Sequence, residues 1–325
     1  MTRVLVTGGA GFIGSHVAER FLAGGHTVTV IDDLSTGRRE NVPASAEFHA
    51  LDIRSPEAAE LVRAGGFDAI AHLAAQIDVR KSVDDPVRDA QINVLGTLNL
   101  LEAVRRAGRI ATTRVVFSST GGAIYGDAAI PPNSEDTPKE PDSPYAIAKH
   151  SVEQYLSYYA RIHGLRAVSV RFSNVYGPRQ DPHGEAGVVA IFCGRLLAGK
   201  PFTVFGDGNQ TRDYVYVGDV ADAMVRATAY DPPKSAGMNA RAFNIGTGVA
   251  TSVVDLASAL MRVAGRTVPV DFAPARPGEL QESSLTITKA AAELGWRPSV
   301  SLAQGLASTY AWFAERAPTS SPSRG

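Results

Sequence analysis

TGGAGFIG, from Thr7 to Gly14, decides the reading of this chain. A β-rich run, residues 3–7, leads into it, and a helical pattern through Phe21 and Leu22 leaves it. Strand, glycine turn and helix start, in that order, make a cradle for a dinucleotide pyrophosphate. The turn at Gly8, Gly11 and Gly14 needs residues without a Cβ, and a phosphate must come close to the backbone N–H groups that open the helix. Glycines alone often only make turns; the flanking strand and helix give this motif its weight.

Working outward, Gly24-Gly25 closes the helix and residues 27–31 form a β-branched run, as expected of a parallel strand buried on both faces. Asp32 lies just past that run. A carboxylate there accepts from adenosine ribose hydroxyls and repels a 2′-phosphate, which favours NAD over NADP. Arg38 and Arg39 pull the other way, and Asp33 adds negative charge. Further strands are predicted at 47–50, 69–73, 114–118, 167–172 and 243–245, with helical patterns between most of them. This alternation predicts an α/β fold, a Rossmann-type doubly wound parallel sheet with right-handed crossovers. Asp52 follows the third strand, where it either contacts the adenine amino group or serves as a helix N-terminal carboxylate.

The second half is less regular, with Gly-, Pro- and charge-rich loops at 177–187, 205–213 and 274–279. A strand at 202–205 and helices at 219–229, 252–263 and 288–294 suggest a smaller α/β substrate-binding domain. The boundaries read as 1–173 for the NAD-binding domain, with a returning strand near 243–246, then 174–317 for the substrate-binding domain. A Ser- and Pro-rich tail, 318–325, is expected to be disordered.

The chain has 325 residues, 44% of them hydrophobic and 20% charged, with a formal net charge of −1. That balance gives no bulk charge to hold a nucleic acid or an acidic membrane. No apolar run approaches the roughly 20 residues of a membrane span. A strand within the first seven residues leaves no signal peptide ahead of the fold, and a cytoplasmic enzyme is expected. The single Cys193 excludes an internal disulfide and a cysteine-based zinc site; it sits in an apolar stretch and reads as packing. No metal is called for.

Tyr145 and Lys149 are four apart at the start of a predicted helix, with Pro144 before them, so both side chains share one face. An unperturbed tyrosine titrates near pKa ~10, too high for a base at neutral pH. A neighbouring ammonium stabilises the phenolate and lowers that value. Such a pair is common on surfaces and gains meaning from the glycine loop. Ser118, Ser119 and Thr120 end the preceding strand, on the edge where doubly wound sheets bind ligands. Their hydroxyls either relay a proton or cap strand-end backbone groups.

With these residues in hand, the chain resembles the extended short-chain dehydrogenases, and among them the UDP-glucose (UDP-galactose) 4-epimerases. The likeness runs to about Phe313 and is carried by TGGAGFIGSH from Thr7, DDLSTG from Asp32, HLAAQ from His72, NVLGTLNLLEA from Asn93 and SPYAIAK from Ser143. It continues through NVYGPRQDPHGEAGVVAIF from Asn174, RDYVYVGDVA from Arg212, NIGTG from Asn244 and RPGE from Arg276. The resemblance implies Tyr145 as base, Lys149 as its modulator, Thr120 as relay and Asn93 as support for their geometry. It implies NAD contacts from Gly8, Gly11, Phe12, Ile13, Asp32, Asp33, Ser35, Thr36, Gly37, Asp52, Ile53, Leu73, Ala74, Ala75, Gln76, Asn93 and Ser118. Substrate contacts would come from Asn174, Val188, Thr203, Phe205, Arg212, Arg276, Glu279 and Ser283, with the two arginines suited to a pyrophosphate. The implied reaction removes the proton of the sugar 4-hydroxyl and the hydride of C4, turns the 4-keto sugar over, and returns the hydride to its other face. A homodimer through helices near 93–106 and 145–163 is implied as well; their apolar residues also suit an ordinary core.

The chain departs from the family pattern in places. STGGAIYG carries one extra residue, so the usual hydroxyl position counted back from Tyr125 is Gly121; Thr120 is the first candidate and Ser119 the second. Gly121-Gly122-Ala123 stands where related dehydratases place an Asp-Glu pair. Epimerases of UDP-glucuronate resemble a pattern with Thr at Asn174 and Arg at Asp181; Asp181 would repel a carboxylate, which favours neutral hexoses. Ser283 is small where the family has a bulky tyrosine or a small residue, leaving room for the N-acetyl group of UDP-GlcNAc or UDP-GalNAc. A rival of another class is a non-catalytic NAD-sensing module on the same fold, which would be expected to lose the Tyr/Lys pair or the UDP arginines.

Overall fold

The computed structural model describes residues 1–183, 187–275 and 280–317. Its first half runs β1 (Arg3–Thr7), α1 (Phe12–Ala23), β2 (Thr27–Asp32), β3 (Glu47–Ala50), α2 (Pro56–Gly65), β4 (Ala69–His72), α3 (Val79–Asp84), α4 (Pro86–Ala90), α5 (Gly96–Arg106), β5 (Arg114–Thr120), α6 (Pro144–His163) and β6 (Arg166–Phe172). A π-helical turn, Gln91–Leu95, joins α4 to α5. The second half adds β7 (Asn174–Tyr176), α7 (Val188–Leu197), β8 (Phe202–Phe205), β9 (Thr211–Tyr216), α8 (Val217–Ala229), β10 (Ala242–Ile245), β11 (Ala250–Ser252), α9 (Val253–Ala264), β12 (Val270–Ala273), β13 (Glu282–Ser283), α10 (Thr288–Glu293) and α11 (Leu302–Arg316).

Seven strands form one parallel sheet in the order β10-β6-β5-β4-β1-β2-β3. Alternation along β1 shows why both faces are covered. Val4 and Val6 join a core with Val17 and Phe21 of α1 and with Val220 and Met224 of α8. Leu5 faces the other way, onto Val62 of α2, Leu100 and Leu101 of α5, and Val152 and Leu156 of α6. Strands apolar on both faces are the pattern of a sheet with helices on each side. Register aligns the strand ends: Thr7 lies opposite His72, and His72 opposite Phe117. The glycine loop, the loop after β4 and the end of β5 therefore open on one edge.

In the second half β9 is central, pairing with β7 and β13 in parallel and with β11 antiparallel. A separate core gathers Phe192 and Cys193 of α7, Leu256 and Leu260 of α9 and Leu306 of α11, and Phe192 stacks on Phe202 with centroids 4.2 Å apart. β12 pairs only with β8 among the described residues.

Most predicted elements shift by one or two residues. β5 continues past Ser118 because Ser119 and Thr120 pair with Arg171 and Phe172. The stretch expected as loop at 205–213 ends inside β9, and α11 is an element the apolar spacing did not suggest. The tail from 318 lies outside the described residues.

Candidate active site

The glycine loop is set by close backbone packing. Gly11 N–H donates to the Gly8 carbonyl at 3.1 Å, closing the turn. A Cβ on Gly14 would lie 2.1 Å from the Gly8 carbonyl oxygen, and Gly8 holds φ +71 with its α-carbon against the Ala74 backbone. Gly11 caps α1 without any side-chain acceptor, and the first turn carries no acidic residue. The N–H groups at this helix start are thus left for an anion, and the cradle fits a pyrophosphate. Asp32 is the last residue of β2 rather than just past it, and 8% exposed. Its Oδ2 accepts from Ala10 N and its Oδ1 from Leu34 N, both at 2.9 Å, so it shapes the glycine loop as well as facing the crevice. Burial raises its pKa above the ordinary range, against those two backbone donors. Asp33 accepts from Ser35 N and Oγ, and Thr36 is exposed beside them. The Cβ that Gly37 lacks would meet Asp32 Oδ1 at 2.7 Å.

Asp52 does not cap a helix. Ser55 caps α2, accepting from Ala58 N at 3.1 Å, while Arg54 grips both Asp52 oxygens at 2.5–3.0 Å and holds that carboxyl below its usual range.

A proton-ordered chain crosses beneath this edge. Thr7 Oγ1 accepts from Leu73 N and Ala74 N at 3.2 Å, which leaves its own proton for His72 Nδ1 at 2.7 Å. Thr97 Oγ1 donates to the Asn93 carbonyl at 2.7 Å, so it accepts from His72 Nε2 at 2.8 Å. His72 is therefore the neutral Nε2–H tautomer. Burial first, and the charge of Lys149 second, lower its pKa to about 3. Asn93 then brackets the backbone of Gln76: Oδ1 accepts from Gln76 N at 2.9 Å and Nδ2 donates to Gln76 O at 3.0 Å. Asn93 Nδ2 and Gln76 Nε2 both donate to Asp89 Oδ1 at 2.9 Å. Asp89 was not among the residues the sequence singled out; a carboxylate on a short polar helix carries no motif.

α6 presents Tyr145 and Lys149 to the same edge. Ser143 caps it, accepting from Ala146 N at 3.3 Å, Pro144 sits in its first turn and Gly164 (φ 75) ends it. The Tyr145 N–H donates to Ser82 Oγ of α3 at 3.2 Å. Lys149 Nζ donates to the Ser118 carbonyl at 2.8 Å and lies 4.7 Å from the Phe117 ring centroid and 5.8 Å from that of Tyr145. Electrostatics differ from the simple expectation of a lowered phenol. Burial raises the Tyr145 pKa above its ordinary value, and the charge of Asp89 adds to that. Burial likewise takes Lys149 down to about 7, against the raising fields of Asp89 and Glu153. Desolvation is the largest influence on both groups. Ser119 is 4% exposed with Oγ unpartnered, whereas Thr120 is only partly buried.

The small sheet gathers the candidates from the second half. Asn174 lies opposite Tyr214, and Ser283 opposite Arg212, so β9 carries Arg212 and Tyr214 with these neighbours on one face. Ser283 is 5% exposed. Arg212 Nη1 donates to the Thr211 carbonyl at 2.8 Å. The adjacent Asp213, fully buried, faces the other way. It accepts from Thr247 N and Oγ1, Gly248 N and Leu285 N at 2.6–3.4 Å, fastening NIGTG and the segment after β13 to β9. Thr203 and Phe205 lie on β8 and Val188 opens α7, all partly buried. Arg276 and Glu279 lie outside the described residues.

Known proteins share this arrangement over nearly the whole length. Residues 4–246 match the NAD dependent epimerase/dehydratase family. A UDP-glucose 4-epimerase of Mycolicibacterium smegmatis is 48% identical over 316 residues, 96% of this chain and 98% of that protein. A Thermotoga maritima UDP-glucose 4-epimerase determined with UDP-glucose superposes with a TM-score of 0.90 at 44% identity, covering 97% of this chain and 99% of that one. A Thermus thermophilus UDP-glucose 4-epimerase in complex with NAD gives a TM-score of 0.85 at 47% identity, covering 96% and 98%. With its glycine cradle, its Tyr145–Lys149 helix and its second, smaller sheet, the chain belongs to the NAD dependent epimerase/dehydratase family.

Proposed function

We propose that this chain interconverts UDP-glucose and UDP-galactose as an NAD-dependent 4-epimerase. The observation that carries the reading is the pair Tyr145 and Lys149 standing on the strand edge that also holds the uncapped α1 cradle. NAD, when bound, supplies the hydride acceptor and a positive charge. Gly8, Gly11 and the first turn of α1 would hold its pyrophosphate, Asp32 and Asp33 its adenosine ribose, and the 73–76 loop with Lys149 its nicotinamide ribose.

Tyr145 takes the proton of the sugar 4-hydroxyl and later gives it back. In the chain alone its phenol lies above its ordinary pKa, so added positive charge in the pocket is what brings it toward a working range. Thr120, more open than Ser119, is the proposed relay between them. Arg212 and Arg276 would bind the UDP pyrophosphate, Glu279 its ribose, and Asn174, Val188, Thr203 and Phe205 the rest of the nucleotide-sugar, so that residues 174–317 act as the substrate domain and 1–173 as the cofactor domain. The neighbours with UDP-glucose and with NAD support both assignments. Asp181, exposed, disfavours a uronate substrate. The small buried Ser283 supports activity on N-acetylated hexoses also.

The reading includes a cytoplasmic homodimer. Dimerisation is supported by a stripe of exposed apolar side chains on α6, Ile147, Tyr155, Tyr158 and Ile162, with Leu95 nearby in sequence to α5, each 40–62% exposed. Sedimentation showing only monomer would remove that part.

The test is conversion of UDP-galactose to UDP-glucose, read by a coupled UDP-glucose dehydrogenase. Tyr145→Phe should lose about 10²–10⁴-fold in turnover while keeping its NAD. Protein that holds NAD but turns over no UDP-hexose would overturn the reading.

A further inference from the structure

Lys149 is a buried cation, and the charges around it can be counted by element. α6 itself carries Tyr145 and Glu153. β5 offers the Ser118 carbonyl and the Phe117 ring, and β4 the neutral His72. β6 brings Arg171, which binds Glu153 through Nε at 3.0 Å and Nη2 at 2.5 Å, with both side chains fully buried. Glu153 therefore already has a full counter-charge, though its field still raises Lys149 beside that of Asp89. Arg80, Lys81 and Asp84 of α3 and Arg88 of α4 are exposed to solvent and screened. The carboxylate not committed to an arginine is Asp89 of α4. Its residue is 1% exposed; Oδ1 takes the two amide donors from Gln76 and Asn93, and Oδ2, buried, has no hydrogen-bond partner. Burial raises the pKa of Asp89, opposed by the two amide donors and by the charge of Lys149. A carboxylate stays ionised in so dry a place only where a nearby cation or strong donors compensate it. Asp89 also sits four residues before Asn93, in α4 just ahead of the π-helical turn that carries Asn93 to Gln76.

We infer that Asp89 is a positioning residue for hydride and proton transfer: its carboxylate is the counter-charge that keeps Lys149 an ammonium, and it fixes the Gln76–Asn93 clamp. This rests on the 4-epimerase reading for its catalytic consequence; the charge pairing rests on the buried, unpartnered Oδ2 of Asp89 and on the packing of α4 and the π-helical turn against α6. Asp89 touches neither proton in flight. It acts through both members of the pair in the same sense, since its negative charge raises the pKa of Lys149 and of Tyr145.

That common sign makes the test specific. In NAD-loaded Asp89→Asn, the pH–rate profile should move as a whole to lower pH by about one unit, because both the phenol of the acid limb and the ammonium of the alkaline limb titrate earlier. Asp89→Glu, which keeps the charge, should restore the wild-type position even at reduced kcat. A merely structural role would lower the amplitude and leave both limbs in place, and that result would overturn the inference. ¹⁵N NMR of the Lys149 ζ-nitrogen needs no substrate, and should show a titration about one unit lower in Asp89→Asn. If wild type turns over no nucleotide-sugar yet this shift is present, the charge pairing stands and the substrate reading fails; an unmoved Lys149 sinks the pairing itself. Should Asp89→Asn not fold, ¹³C NMR of the Asp89 carboxyl in wild type decides: ionised at neutral pH supports the inference, protonated overturns it.

Discussion

The two halves of the site are built by different means. On the cofactor side, Gly8, Gly11 and Gly14 fall within one strand–turn–helix unit, and Tyr145 and Lys149 within one helix. Each group is brought to its neighbour by local geometry. On the side proposed to hold the substrate, Asn174, Arg212 and Ser283 come from strands far apart in the chain and meet only because β7, β9 and β13 pair. There the organising element is a single buried carboxylate, Asp213, which collects four donors from two distant segments. A site assembled locally depends on backbone shape; one assembled across the chain depends on a buried polar hub.

That contrast is open to test. Asp213→Ala should have the largest effect, about 3–5 kcal/mol, because it leaves buried donors without an acceptor. UDP binding by calorimetry should be lost before NAD retention is; equal loss of both would erase the distinction between the halves. Next is the pH dependence of the cofactor-side chain through His72. Its folded pKa is depressed to about 3 from an unfolded 6.5, so its neutral form contributes fully above pH 6.5 and stability falls as pH drops toward 3. The slope should be about 1.4 kcal/mol per pH unit in this window. Thermal melts of His72→Gln, which cannot charge, should show a flatter slope there; an unchanged slope would assign the acid sensitivity elsewhere.

Gly14→Ala should cost roughly 1–3 kcal/mol, or about tenfold to a hundredfold in NAD affinity, since the new Cβ meets the Gly8 carbonyl. UDP binding should stay near wild type, the mirror image of Asp213→Ala. The smallest change is Ser283→Tyr. It should shift preference from UDP-GlcNAc toward UDP-glucose by about 1–3 kcal/mol in relative kcat/KM. No UDP-GlcNAc turnover in wild type, with no gain in UDP-glucose preference in the variant, would remove the N-acetyl assignment.

What could be read ahead of the structure follows the same division. The strands at 47–50 and 202–205 were legible to the residue, because a short β-rich run between turns carries its own signal. β9 was half hidden in an expected loop: Asp213 is polar because it is a buried acceptor for four donors, and Thr211 and Arg212 are only partly exposed, so polarity here did not mark a loop facing water. The lowered phenol was the natural expectation for Tyr145 beside Lys149, yet burial turned out to govern both groups. Spacing tells which side chains are neighbours; it does not tell how dry they are.

Residue order along the chain was enough for the parallel sheet, the glycine turn that opens α1, NAD as the cofactor and the placing of Tyr145 and Lys149 on one helix. All of these rest on interactions within one turn, one helix or one strand–turn–helix unit, whose periods are written in consecutive residues. The hydrogen bonds of Asp89 and Asp213, the tautomer of His72 and the seating of Ser283 beside Arg212 emerged only with the packed molecule. Each depends on what surrounds a buried polar group. In a low-dielectric interior, its charge and proton position are set by partners that chain folding brings from far away.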